Sequence, residues 1–123
     1  MVLMGALAVA VGLVLASQAR AESADDPAQI LFNNACRTCH TVKEGDNRLG
    51  PNLHAVVGRK AGALSGYGYS DSMAKSGLVW DKATLDRFIA DPNAVVRGHK
   101  MQPYGGIPSA EDRAKIIAYL EKN

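Results

Sequence analysis

A chain of 123 residues carrying 14 Lys and Arg against 12 Asp and Glu is long enough for one small domain and has a formal charge of only +2. So small an excess gives no strong basic field, which excludes nucleic acid as a partner. The two cysteines, Cys36 and Cys39, leave no distant thiol for a framework of structural disulfides and must act locally.

From Met1 to Ala16 the residues are almost wholly apolar, and Ala19-Arg20-Ala21 supplies the small-x-small pattern read by signal peptidase. The predicted organisation is therefore a secretory signal peptide over residues 1–21, cut before Glu22, and one domain over 22–123. No Lys or Arg precedes the apolar run, and the alternative is an uncleaved membrane anchor. Sixteen helical residues rise about 24 Å, short of a hydrocarbon core of roughly 30 Å. Cleavage removes Arg20, leaving 13 basic residues against 12 acids and a formal charge of +1.

Asp26-Pro27 predicts the start of the first ordered helix, with an N-cap, a proline at N1 and Gln29 at the capping-box position. Ala28, Leu31, Phe32 and Ala35 then recur at helical spacing up to Cys36. Between Thr41 and Gly77 glycines and polar residues come too often for a long periodic element, so an irregular loop wall with short helical turns is expected. Asp81 can cap a second helix carrying Leu85, Phe88 and Ile89, which Asp91-Pro92 stops because proline disfavours helical geometry in the residue before it. Loop residues run on to Pro108, and Ser109 with Asp112 caps a last helix striped by Ile116, Ile117 and Leu120. No segment alternates like a strand, so the fold class is all-α. Three helices joined by long glycine-rich loops make a poor core by themselves, and a large apolar cofactor at the centre would explain them.

Cys36-Arg37-Thr38-Cys39-His40 reads C-x-x-C-H, the attachment site of c-type haem, in which two thiols add across the vinyl groups and the histidine ligates iron. Two cysteines three apart on a helical turn reach adjacent ring substituents while His40 is directed at the metal. A thioredoxin-type pair shares C-x-x-C but belongs after a strand, and no strand precedes Cys36. A zinc site would need a fourth ligand in this crowded spacing. For the sixth iron ligand the candidates are Met73, Met101, His54 and His99. Met101 is favoured because it stands in a loop among Gly, Lys, Gln and Pro rather than on an apolar stripe, and His99 is its main rival.

Cys36 to His40, Gly50-Pro51-Asn52-Leu53-His54, Val57-Gly58-Arg59-Lys60, Tyr69-Ser70, Gly77-Leu78-Val79-Trp80 and Lys100-Met101 follow in order the pattern of class I c-type cytochromes, of the mitochondrial cytochrome c and bacterial cytochrome c2 type. The chain resembles that family over nearly all of residues 22–123. The resemblance implies a cytochrome c fold, with three main helices and long loops wrapped around one haem c. It implies terminal helices that cross, bringing Phe32 to Tyr119. It also implies that the Pro51 carbonyl accepts the N–H of the proximal His40, that Met101 is the distal ligand, and that Arg59, Tyr69 and Trp80 serve the buried propionates. Phe88 stands where the family usually has tyrosine, His99 where it has threonine beside the ligand, and Tyr104 near the customary phenylalanine.

With His40 and Met101 both on iron no position stays open for a substrate, which suits one-electron transfer rather than enzymatic turnover. The expected function is a soluble, monomeric, periplasmic electron carrier. Its partners would be larger redox proteins met by transient docking at the membrane: bc1 complex, terminal oxidase, photosynthetic reaction centre or periplasmic dehydrogenase. Arg37, Lys43, Arg48, Lys60, Arg97 and Lys100 are candidates for the basic ring that the family turns toward acidic partners. The alternatives are a haem peroxidase or gas sensor with a labile sixth ligand, and a membrane-anchored subunit of an oxidase or dehydrogenase.

Overall fold

The computed structural model describes residues 26–123, so the signal segment expected over 1–21 lies outside the described residues. Helix α1 (Pro27–Ala35) starts where the Asp26 carboxylate accepts from the Ala28 N–H at 3.0 Å, with Pro27 at the first helical position. Two further helices fall where their caps predict them. In α3 (Lys82–Ala90) Asp81 accepts from the Thr84 N–H at 2.7 Å, and in α5 (Ala110–Glu121) Ser109 accepts from the Asp112 N–H at 3.2 Å.

Two single turns complete the set: α2 (Asp71–Ala74), capped by Ser70, and α4 (Pro92–Val95). The second lies where the sequence predicts loop. Asp91-Pro92 ends α3, and the same pair then begins α4, with Asp91 accepting from the Ala94 N–H at 3.4 Å. Proline stops one helix and is pre-set for the first position of the next, so one dipeptide both terminates and initiates.

The terminal helices α1 and α5 pack together, and the rings of Phe32 and Tyr119 meet there with centroids 4.9 Å apart. Phe32 is 2% exposed, and Ile116, Ile117 and Leu120 bury the facing stripe of α5. Helix α3 adds Leu85, Phe88 and Ile89 to the same core. Among the described residues there is no strand, only an isolated antiparallel bridge between Lys60 and Val79. Around it the Trp80 N–H donates to Arg59 O at 2.8 Å and the Gly58 N–H to Trp80 O at 2.7 Å, which turns the indole inward against Phe88.

The loop between α4 and α5 is tied back onto the end of α3. Tyr104 Oη–H donates to Ile89 O at 2.6 Å and the Ile107 N–H donates to the same carbonyl at 3.0 Å. These bonds satisfy a carbonyl that the last turn of α3 leaves free. Gly106, at φ +90°, lies so close to the backbone of Ala90 that a Cβ would collide with the Ala90 carbonyl oxygen. From α5 the Arg113 guanidinium reaches Asp86 at 2.7 Å and the carbonyls of Ile107 and Pro108, each at 2.9 Å. The segment carrying Met101 is thus closed at its far end by α3 and α5 together.

Candidate cofactor site

One open cleft, apolar over most of its lining with a few polar groups, has the character of a site for a small molecule or cofactor. Four pieces of chain form it. The end of α1 and the turn after it bring Cys36, Cys39 and His40; the next loop brings Leu49, Gly50 and Pro51; Tyr67, Tyr69 and Met73 form a third side; Met101 and Tyr104 come from the tied-back loop.

His40 is 8% exposed, and its Nδ1–H donates to the Pro51 carbonyl at 2.7 Å. That bond leaves Nε2 as the ring's free lone pair. Burial lowers the imidazole's pKa, the bond to Pro51 acts in the opposite direction, and the positive Arg59 lowers it further. The ring is therefore held neutral, the form in which a histidine can ligate a metal. The close approach depends on Gly50: an added Cβ would collide with His40 Cε1 and stand 2.7 Å from Nδ1 and 2.8 Å from Nε2.

Both cysteines are free, and burial, helped by the neighbouring Cys39, pushes the Cys36 thiol up to about 11. A thioredoxin-type nucleophile needs the opposite, a thiol depressed toward neutrality, so this pair is not set up for disulfide exchange. Among the described residues no group of three or more His, Cys, Asp or Glu converges on a metal position, so Cys36, Cys39 and His40 do not form a zinc cradle.

Of the residues predicted for the site, Cys36, Cys39, His40, Pro51, Tyr69 and Met101 share the cleft wall, and Arg59 and Trp80 stand outside its lining. The Arg59 guanidinium donates to Asn52 O at 2.9 Å and His54 O at 3.1 Å. Its pKa is lowered, chiefly by burial, against the opposing influence of nearby Tyr69. Trp80 is 8% exposed, its ring 4.9 Å from that of Phe88.

The four candidate sixth ligands separate cleanly. Met101 and Met73 line the cleft and the two histidines do not. His54 Nε2 faces outward, 3.9 Å from Glu44. Both ring nitrogens of His99 are engaged by protein, Nδ1 with the Met101 N–H at 3.0 Å and Nε2 with Asn93 Oδ1 at 2.9 Å.

Sequence reasoning did not single out Tyr67, whose hydroxyl donates to Leu49 O at 2.9 Å and whose ring meets Tyr69 edge-on at 4.9 Å. Nor did it assign Gly50 its steric role, although glycine next to proline marks a close backbone approach. The donor set fits a covalently held haem. Two unpaired thiols, a neutral imidazole with one free nitrogen and a thioether face one largely apolar space, and Gly50 provides the room that the imidazole occupies.

The family model described as cytochrome C oxidase, cbb3-type, subunit III matches residues 23–120. The chain is 49% identical over 86 residues to cytochrome c2 iso-2 of Magnetospirillum fulvum, covering 70% of this chain and 88% of that protein. It is 47% identical over 91 residues to cytochrome c2 of Rhodopila globiformis, covering 74% and 85%. Among solved structures, cytochrome cH from Methylobacterium extorquens superposes with a TM-score of 0.72 at 41% identity, covering 79% of this chain and 96% of that one.

Proposed function

The chain belongs to the class I c-type cytochromes, and from that premise we propose that it is a single-haem electron carrier, exported to the periplasm, that shuttles one electron at a time between larger redox proteins. The observation that carries this reading is the convergence of Cys36, Cys39, His40 and Met101 on one cleft. It is an electron-transfer protein rather than an enzyme. Haem c, bound through the two cysteines, supplies the ferrous/ferric couple.

The chain's own residues do the rest. His40 would hold the haem iron, and its bond to the Pro51 carbonyl fixes the tautomer, steadies the ring and strengthens it as a donor. Met101 would be the second residue to hold the iron, and its thioether would raise the potential. Met73 also faces the cleft, but it is held in α2 with its N–H donated to Ser70 Oγ at 3.1 Å, whereas Met101 comes from a loop that wraps the far wall. Arg59, Tyr69 and Trp80 serve the propionates. The half-buried cation beside Tyr69 supports this role.

The partners that suit such a carrier are bc1 complex, terminal oxidase, photosynthetic reaction centre or a periplasmic dehydrogenase, met by transient docking as a monomer. Export rests on the apolar run to Ala16 followed by Ala19-Arg20-Ala21; the family match begins at residue 23, just beyond the expected cut. Among the described residues no helix is long and apolar enough to cross a membrane.

One preparation tests the whole reading. Protein purified from its native envelope should have the intact mass of residues 22–123 plus one haem, keep its pigment through acid–acetone extraction, and show the far-red methionine-to-iron band when ferric. Loss of the pigment would reject the covalent cofactor. A mass retaining residues 1–21 would reject cleavage and favour the anchored form.

A further inference from the structure

His99 lies directly beside the distal loop yet does not face the cleft. It is 6% exposed, enclosed between α4 and the ring of Phe88, whose centroid is 6.0 Å from its own at an interplanar angle of 78°. Its hydrogen bonds assign its protons. The Met101 N–H can only donate, so Nδ1 carries a lone pair; the proton is therefore on Nε2 and is donated to Asn93 Oδ1. Asn93 belongs to α4, the turn begun by Asp91-Pro92. A continuous chain of contacts thus runs from that helical turn, through one imidazole in one tautomer, to the backbone of Met101.

We infer that His99, oriented by Asn93, is a positioning residue that sets the backbone of Met101 so that its thioether is presented to the cleft. The inference rests on Met101 being the distal ligand. The side chain of Met101 settles into a few staggered rotamers, each fixed relative to the backbone, so the places its sulfur can reach depend on where its Cα is held. The tie at the far end of the loop, through Tyr104 and Ile107 to Ile89, lies at least three residues away and does not by itself orient Met101. Two bonds act at Met101 itself: the Gln102 N–H donates to Lys100 O at 2.9 Å and closes a tight turn over it, and the Met101 N–H donates to His99 Nδ1; only the second ties that turn to a buried side chain, and Gly98, at φ +89°, makes the bend that puts the imidazole next to the chain two residues on.

The test uses the mature haem protein with His99→Leu, His99→Asn and Asn93→Ala, read by the far-red methionine-to-iron band and by the rate at which free imidazole binds the ferric form. His99→Leu keeps an apolar filler but removes the acceptor. It should weaken the band and speed imidazole binding roughly three- to tenfold, the factor expected for one net hydrogen bond. His99→Asn loses volume, but its side-chain oxygen can accept from the N–H two residues on, as in an Asx turn, so it should stay closer to the unmodified protein. Asn93→Ala keeps the histidine and releases its tautomer, and should move both readings in the direction of Leu but less.

A residue that only fills space would give the reverse order, with Leu tolerated better than Asn, and that result overturns the proposal. Unchanged band and rate in Asn93→Ala would overturn the relay from α4, even if the Leu variant failed to mature. Failure of the underlying assignment looks different: the unmodified ferric protein would itself lack the far-red band.

Discussion

A methyl group at Gly50 would stand 2.7 Å from His40 Nδ1, well inside ordinary contact, and its neighbours on that side are ring atoms with no room to retreat. The imidazole is held by the Pro51 carbonyl at 2.7 Å, so relief can come only by stretching that bond or moving the 49–51 loop. Gly50→Ala should therefore lower the stability of the haem protein by about 1–3 kcal/mol, the usual cost of overpacking, and shift the reduction potential through the weakened proximal bond. Denaturant unfolding and a redox titration measure both; a variant matching the parent in each would show that His40 is not constrained there.

At the scale of elements, the distal loop is a strap between α4 and α5, and its stiffness comes from bonds to helix ends rather than from helix of its own. Tyr104 makes the shortest of these ties, 2.6 Å to Ile89 O. Burial, with a smaller contribution from a charge on Cys36, pushes its hydroxyl up to about 12, above the ordinary value of 10.0. In the haem protein Cys36 would be a thioether and carry no charge, leaving burial as the cause. The folded pKa is raised, so the stabilisation is complete below pH ~10, where the unfolded tyrosine begins to ionise, and is lost as pH rises toward ~12. Tyr104→Phe should accordingly be less stable than the parent at neutral pH, by about 1 kcal/mol for one hydrogen bond, with the gap closing between pH ~10 and ~12. Denaturation midpoints taken across that range decide it. A gap that stays constant would mean that the hydroxyl does not act through its proton.

For the molecule as a whole, the formal charge is +2, or +1 if residues 1–21 are removed, and two propionates would reduce it further, which leaves no net attraction to steer a partner. Steering has to come from local clusters. Arg37, Lys43, Lys60, Arg97 and Lys100 are exposed, whereas Arg48 is occupied in a two-pronged bond to Asp46 at 2.9 and 3.1 Å and brings little free charge. Lys100 has the best claim because it also lines the cleft, as does the 77%-exposed Leu49. Association with isolated bc1 complex should slow by roughly tenfold between low and physiological ionic strength, and Lys100→Gln should slow it and flatten that dependence. Stopped-flow rates indifferent to salt would remove electrostatic docking from the account.

The sequence by itself determined the cofactor and the helices, because both are written locally: a five-residue attachment motif, and caps such as Asp26, Asp81 and Ser109 lying next to the apolar stripes they begin. It also placed Phe32 opposite Tyr119 once the family pattern was in view. What it left open depends on contacts between residues far apart in the chain. Among four candidate ligands the sequence favoured Met101, but only the fold shows that His99 is occupied on both nitrogens, that His54 faces Glu44, and that Met101 and Met73 border the cleft. Arg59 and Trp80 share motifs with cleft residues yet lie outside its wall, and Asp91-Pro92, legible as a stop, is equally a start. Local backbone preference is fixed by neighbours in sequence, whereas the partner of a side chain is fixed by which distant segments the packed core brings beside it.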